Sequence, residues 1–545
     1  MASGAFDFDW LVIGSGFGGS VSALRLAEKG YKVGVLECGK RFRDEDFAET
    51  TWQLGRFLWA PALGLKGILR LAPFRDVFAV SGSAVGGGSV VYANTLYRAK
   101  PEFFRNAQWA GLDQWEQVLT PHYINAERML GVKTVPFESV NQRLIRDLAR
   151  HFGTEDTFCR TPCAVFFGEA GKMVNDPYFD GEGPPRTGCT QCGACMVGCR
   201  VGAKNTLVKN YLWFAEKRGA VVLPEHTVTD VAPLGASDGN DGYRVTTERP
   251  GAWIFKRRRH FTARGVVFAA GSLGTNRLLA NCKLGGSLPG VSSRLGELVR
   301  TNSESILAVR LPEDRKTWND VAISCSIHVD QDTHIEIVNY GRHADFMSLL
   351  CTVLVGQGNR ATRPLLWLAS IARHPLRWLT TLWPVGWSRR TVMLLVMQSL
   401  DNAIALRAKK RLFGRGYRLR TEQNRDKPNP TFIAAGNAAA HWLAAHTGGI
   451  AQSNSLEALA NIPTTAHLLG GAVIGADATR GVIDRELRVF GYRNLLVCDG
   501  SAMPANPGVN PSLTITALAE YAMSKVPSAG TARTGLEASL ATAGF

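Results

Sequence analysis

A chain of 545 residues that is 45% hydrophobic and 20% charged is long and apolar enough for two or more cores. Its net charge of +16 suits nucleic acid, an anionic membrane surface or a merely basic enzyme, but no helix-turn-helix, zinc-finger or RNA-recognition pattern is present, so nucleic acid is not an expected partner. No uncharged apolar run reaches membrane-spanning length, and the start MASGAFDFDW lacks both the basic and the apolar part of a secretory signal, so a cytoplasmic location is expected. Without an export signal, the eleven cysteines argue for buried thiols or a metal site rather than a disulfide framework.

The stretch from Trp10 to Gly39 predicts strand, tight turn, helix, strand. An apolar run to Ile13 enters Gly14-Ser15-Gly16-Phe17-Gly18-Gly19, a stripe of Val21, Leu24 and Ala27 follows, and a second run, Val33 to Leu36, ends on Glu37. Gly14 permits the turn, Gly16 brings backbone up to a pyrophosphate, and Gly19 lets helix pack closely on strand. The helix N-terminus then offers unpaired N–H groups to phosphate. Glu37, at the tip of the second strand, is placed to accept hydrogen bonds from a ribose hydroxyl. Dinucleotide binding is the expectation.

From Thr51 to Phe78 the chain is apolar and basic, fit either to cover an apolar pocket or to form an ordinary packed helical excursion. Next, Gly86-Gly87-Gly88-Ser89 lets backbone lie flat against a planar or phosphorylated ligand. Together with the opening motif, this segment resembles the second flavin-contacting segment of the glucose–methanol–choline (GMC) oxidoreductases. That resemblance implies FAD as cofactor, with Gly87, Gly88 and Ser89 beside it, and Asn94 as the counterpart of an asparagine that many members carry slightly nearer the Ser.

Pro101 to Gly188 reads as a substrate-side excursion leading to Cys189, Cys192, Cys195 and Cys199. The spacing C-x2-C-x2-C-x3-C matches the bacterial ferredoxin run, although Arg200 stands where that run has Pro and no second run follows. An iron–sulfur cluster, a structural zinc and metal-free thiols packed near the flavin all remain open, with Cys159 and Cys163 as further candidate ligands. Gly202 to Leu207 is expected to start a helix, Ala220 to Pro224 a short strand, and Arg244 to Arg264 an antiparallel excursion. By resemblance to flavoproteins, backbone at Val228 contacts the adenine. The strand Val266 to Ala270 running into Gly271 resembles the family's second phosphate-side turn.

Asn302 to Ser399 alternates β-like runs with polar turns, compatible with a sheet that floors a substrate cavity. Within it, 363–390 reads RPLLWLASIARHPLRWLTTLWPVGWSRR, and no acidic residue occurs from Ala361 to Leu400. Arg with Trp and Leu is the composition of a segment lying on an anionic bilayer; a buried helix pair with basic ends is the alternative.

The C-terminal hundred residues carry the chemistry. The segment around His467 resembles the family's His-containing loop, with Leu468 in place of the usual Pro. The strand Leu495 to Val497 runs to Asp499 and Gly500, which the resemblance places on the flavin's ribityl or phosphate region. Asn510 and Pro511 precede a predicted helix whose N-terminus points at the flavin. The resemblance covers almost the whole chain and is closest to the cholesterol oxidase-like branch. It implies FAD-dependent oxidation of an alcohol, most readily a 3β-hydroxysteroid such as cholesterol, with His467 and Asn510 handling the hydroxyl and oxygen as acceptor. An FAD/iron–sulfur dehydrogenase with another acceptor is the alternative. Steroid oxidases of this kind can also isomerise a double bond with a glutamate of the substrate sheet; Thr391 to Leu400 offers none, and Asp401 is the nearest acid. The expected fold is α/β, with a Rossmann-like FAD domain from 1–100, 201–300 and 465–526. An α+β substrate domain with an antiparallel sheet takes 101–200 and 301–464, and 527–545 forms a flexible tail.

Overall fold

The computed structural model describes residues 6–252, 255–411 and 416–530. The apolar run at the start forms the strand Phe8–Ile13, which turns through Gly14 into the helix Phe17–Glu28 and returns as the strand Val33–Leu36. Gly14 sits at φ +102°, and a Cβ there would lie 2.3 Å from the carbonyl oxygen of Ala269, so this turn admits no larger residue. The parallel core runs Val221–Leu223, Val33–Leu36, Phe8–Ile13, Arg259–Phe268, Leu495–Val497. Its inner strands are buried on both faces, hence their unbroken Val, Ile and Leu runs. Arg259–Phe268 changes partner along its length: Arg259 to Ala263 pair antiparallel with Tyr243–Glu248, itself paired with Thr227–Pro233, while Val266 to Phe268 pair parallel with Leu495–Val497. The expected antiparallel excursion is thus the outer wing of the sheet that holds the parallel core.

The helix Phe17–Glu28 is locked to the C-terminal helix Ser512–Ser524 by a two-pronged ion pair, Arg25 Nε and Nη2 each 2.8 Å from the Glu520 carboxylate. Tyr211 Oη donates to the same carboxylate at 2.7 Å, tying in the helix Tyr211–Lys217. That last helix begins later than its sequence suggests. Lys204, Asn205 and Thr206 are buried in non-helical backbone, and the Asn210 side chain caps the first turn by accepting from the Tyr211 N–H at 2.7 Å.

The second sheet has seven strands, all antiparallel, in the order Cys351–Val353, Ile450–Asn454, Ser305–Arg310, Thr391–Gln398, Thr333–Val338, Ile323–His328, Cys159–Arg160. Alternation gives it two faces. Leu307, Val309, Ile335, Ile337, Leu394 and Val396 pack with Leu144, Ile145 and Leu148 of the helix Val140–Phe152 and with Ala439, Ala440 and Leu443 of the helix Ala434–Thr447. Val338, Met393 and Leu395 point the other way and line a cavity. The architecture is the expected α/β fold with an antiparallel second sheet.

Thr51 to Phe78 is not a helical excursion but a mix of loop and short strands after the one-turn helix Leu54–Phe57: Trp59–Ala60 pairs with Leu65–Lys66, and Leu69–Pro73 with Phe78–Gly82. The stretch 363–390 forms the helices Thr362–Arg373, Pro375–Leu382 and Trp387–Arg390. At the C-terminus, the Ala529 N–H donates to the Lys29 carbonyl at 2.9 Å and Tyr31 Oη to the Pro527 carbonyl at 3.0 Å, so the start of the expected tail is held. Residues 531–545 of that tail lie outside the described residues.

Candidate active site

A cavity of about 980 Å³ lies between the carboxyl ends of the parallel strands and the inner face of the second sheet. Three helices begin at its wall. Gly16, Phe17 and Gly18 open the first helix, Gly271 to Gly274 the helix Gly271–Gly285, and Asn510, Pro511 and Ser512 the C-terminal helix. Each helix start presents N–H groups and a positive dipole end, which together suit a ligand carrying phosphates and a ring that becomes anionic. Arg70, Arg277, Arg411 and Arg418 add positive charge to the lining, and none of them forms an ion pair among the described residues.

The two glycine loops meet here. Gly87, at φ +53°, would place a Cβ 2.5 Å from the Gly16 Cα, so backbone alone separates them. Glu37 lines the cavity and is buried; its Oε2 accepts from the Ser15 N–H at 3.0 Å and Ser15 Oγ at 2.7 Å, and its Oε1 from the Gly39 N–H at 2.8 Å. The carboxylate is therefore fixed by its own loop, with further lone pairs left for a ligand hydroxyl. Ser15, Gly88, Val228, Ala270, Asp499 and Gly500 also line the cavity. Asp499 Oδ2 accepts from Thr275 Oγ1 at 2.5 Å and Oδ1 from the Ser501 N–H at 2.8 Å, while burial raises its pKa.

Three expected cofactor residues stand behind the wall rather than in it. Gly19 packs against the Gly14 carbonyl, where a Cβ would come within 2.0 Å, which is the helix–strand contact its position implies. Ser89 Oγ turns inward, donating to the Gly86 carbonyl at 2.7 Å and accepting from the Leu207 N–H at 3.0 Å, so it holds the glycine loop in shape. Asn94 is fully buried at φ 71° with neither side-chain polar atom bonded; its neighbours Ala93 and Thr95 reach the cavity and it does not.

His467 and Asn510 both reach the cavity, and each is backed by a glutamate. His467 Nδ1 is hydrogen-bonded to Glu304 Oε1, and Glu304 Oε2 accepts from the Ala466 N–H at 2.8 Å. A carboxylate at Nδ1 makes that nitrogen the donor and leaves Nε2 as the acceptor, which is the form a general base requires. Asn510 Nδ2 donates to Glu336 Oε2 at 3.3 Å, and Asn510 Oδ1 has no partner. Burial pushes the Glu336 carboxyl up to about 8; the hydrogen bond from Asn510 opposes the rise and the nearby Glu304 adds to it. Neither glutamate was found from the sequence. The available signal was an acid between the isoleucines of the buried strand THIEIV, and a Glu in the run TNSES ahead of the next strand. Asp401, the acid nearest in sequence, is taken up by Arg300 at 2.9 Å and Lys427 at 2.7 Å.

Away from these polar groups the cavity is lined by Trp59, Leu71, Phe74, Ile306, Ile323, Val338, Met393 and Leu395, so Thr51 to Phe78 supplies part of an apolar chamber. The four cysteines of the ferredoxin-like run line a separate space of about 10 Å³ with Lys204 and Asp320. Lys204 Nζ donates to the carbonyls of Val90, Tyr92 and Cys195 at 3.1, 2.9 and 2.8 Å, and burial pulls its pKa down to about 7. Among the described residues no group of three or more His, Cys, Asp or Glu side chains is arranged to hold a metal ion. The geometry among the described residues therefore gives no support to Cys189, Cys192, Cys195 and Cys199 as cluster ligands.

Residues 185–297 and 421–519 match two family models, both described as GMC oxidoreductase. The chain is 49% identical to a cholesterol oxidase of Mycobacterium tuberculosis, covering 96% of this chain and 92% of that one. It is 45% identical to a cholesterol oxidase of Acinetobacter baumannii, covering 96% and 95%. Among solved structures, pyridoxine 4-oxidase from Mesorbium loti shares the fold at TM-score 0.62 with 14% identity, over 95% of this chain and 99% of that one.

Proposed function

The chain belongs to the GMC oxidoreductase family, and on that footing we propose that it is an FAD-dependent oxidase of a sterol alcohol, with a 3β-hydroxysteroid such as cholesterol as substrate. The cavity fits the cofactor: three helix N-termini at one wall, two glycine loops whose backbones meet at Gly16 and Gly87 with no room for a side chain between them, and Glu37 beside the first turn. When bound, FAD supplies the two-electron acceptor for the hydride that leaves the alcohol carbon, and is reoxidised by oxygen. Gly14, Ser15, Gly16, Phe17, Gly18, Gly87 and Gly88 would hold its diphosphate side, with Val228, Ala270, Gly271, Asp499, Gly500 and Pro511 around it.

The rest of the reaction falls to the side chains. His467 Nε2 takes the hydroxyl proton as the carbon–oxygen double bond forms, and the Glu304 carboxylate stabilises the imidazolium that results. Asn510, oriented by Glu336, offers a polar contact to the developing carbonyl. The apolar chamber excludes water and holds the ring system of the substrate. The observation that carries this reading is that His467 and Asn510, 43 positions apart in sequence, both line the cavity that also holds the apolar chamber. The test is His467→Asn: a protein that still carries FAD but has lost turnover by roughly 10²–10⁴ is expected. Full turnover in that variant overturns the assignment.

A further inference from the structure

The helices Thr362–Arg373 and Pro375–Leu382 and the turn after them carry eight of the seventeen large hydrophobic side chains exposed among the described residues. Leu376 is 76% exposed, Val385 66%, and Leu365 and Trp383 64% each. Loose packing does not account for this, because the hairpin is pinned at both ends. The buried Arg363 guanidinium donates to the carbonyls of Thr431 at 2.8 Å and Glu457 at 3.0 Å, and Arg310 Nη1 donates to the Trp383 carbonyl at 2.9 Å and to that of Thr380. A fixed scaffold thus holds a continuous set of apolar side chains in water, the mark of a surface that meets something else.

We propose that this hairpin is a docking surface for an anionic lipid bilayer, lying in the interface rather than crossing it. Charge complementarity selects the occupant. No acidic residue occurs from Ala361 to Leu400, and Arg373, Arg377 and Arg390 are exposed and form no ion pair among the described residues, whereas Arg389 is taken up by Asp314 at 2.8 Å. Unneutralised arginines flanking exposed Leu and Trp match an acyl boundary beneath anionic headgroups. Among the described residues no helix is long and apolar enough to cross a membrane, which leaves the interface as the place for this hairpin. Of the four tryptophans in the segment only Trp383 serves this face fully: Trp387 is buried, and Trp367 is half-buried with Nε1 donating to Thr352 Oγ1 at 2.9 Å. The hairpin also abuts the cavity rim, since Arg360 Nη2 donates to the Arg75 carbonyl at 2.6 Å and to Asp76 at 2.9 Å, next to Phe74 in the cavity wall. The proposal deepens the sterol reading by naming the source of the substrate, but its test does not depend on it.

The test is co-sedimentation of the FAD-loaded full chain with sterol-free vesicles of phosphatidylcholine alone or with phosphatidylglycerol. Wild type is expected to bind the anionic vesicles, with binding weakened by salt. Arg373→Gln/Arg377→Gln is expected to bind roughly 25-fold more weakly, about fivefold per charge near the surface. Leu376→Ser/Trp383→Ser is expected to lose at least about tenfold. Both variants should keep wild-type turnover on detergent-dispersed cholesterol, which separates docking from folding and chemistry. Wild-type protein that ignores both vesicles, or variants that bind as wild type does, would overturn the proposal. So would a lipid-free dimer in sedimentation equilibrium that Leu376→Ser/Trp383→Ser abolishes, since the face would then belong to a second copy. An enzyme that binds vesicles yet oxidises no sterol would sink the substrate reading alone.

Discussion

Glu336 offers the sharpest check on how the catalytic wall is built. It is fully buried, one oxygen accepts from Asn510 and the other has no partner, and burial lifts its carboxyl from 4.5 to about 8. In the unfolded chain the same carboxyl ionises near 4.5, so unfolding releases a proton at every pH between the two values. The native state binds more protons than the unfolded state in that window, and stability falls as pH rises through it. The stabilisation relative to the ionised group is complete below 4.5 and spent above about 8. The span corresponds to an upper limit of about 5 kcal/mol at roughly 1.36 kcal/mol per pH unit. Glu336→Gln keeps the shape and the acceptor for Asn510 but cannot ionise. Its stability should therefore gain on wild type as pH is raised from 5 to 9, by roughly 2–4 kcal/mol, with most of the gain between 6 and 8. Urea unfolding of the holoprotein, followed by flavin fluorescence across that pH range, measures it. A stability difference that does not change with pH would show that Glu336 titrates normally and that the wall behind Asn510 is open to water.

Two further substitutions separate positioning from binding. Glu304→Gln should lower kcat by on the order of 10², with FAD retained and KM nearly unchanged, because the amide neither fixes the His467 tautomer nor stabilises the imidazolium; unchanged kcat would remove Glu304 from the account. Gly87→Ala must place a Cβ 2.5 Å from the Gly16 Cα and hold an alanine at φ +53°, a conformation that costs about 1–2 kcal/mol before any clash. The loops should part and the purified protein should carry much less flavin, read as the flavin-to-protein absorbance ratio; full occupancy would mean the cradle is looser than its backbone.

The nucleotide-binding half was legible because each residue there has one local job. Gly14, Gly18 and Gly19 are dictated by contacts within a few Å, and the apolar runs at Trp10 to Ile13 and Val33 to Leu36 are inner strands of a parallel sheet. His467 and Asn510 were legible because a sequence pattern marks them. Glu304 and Glu336 were not, since what sets them apart is a partner 163 and 174 positions away and their burial. Ser89 was read for its place in a glycine loop, but a hydroxyl there satisfies backbone as readily as ligand. The cysteine spacing leaves an iron–sulfur cluster, a structural zinc and metal-free thiols open, because spacing alone does not decide whether side chains converge on a metal; among the described residues no such metal-holding group forms.

The most direct measurement is the flavin absorbance of the purified protein under anaerobic conditions as cholesterol is added and air is then admitted. The account predicts bleaching on addition of the sterol, slowed by on the order of 10²–10⁴ in His467→Asn, and rapid recolouring in air. A flavin that stays oxidised in the presence of cholesterol would contradict the sterol assignment, and a flavin that bleaches but does not recolour would contradict the oxidase.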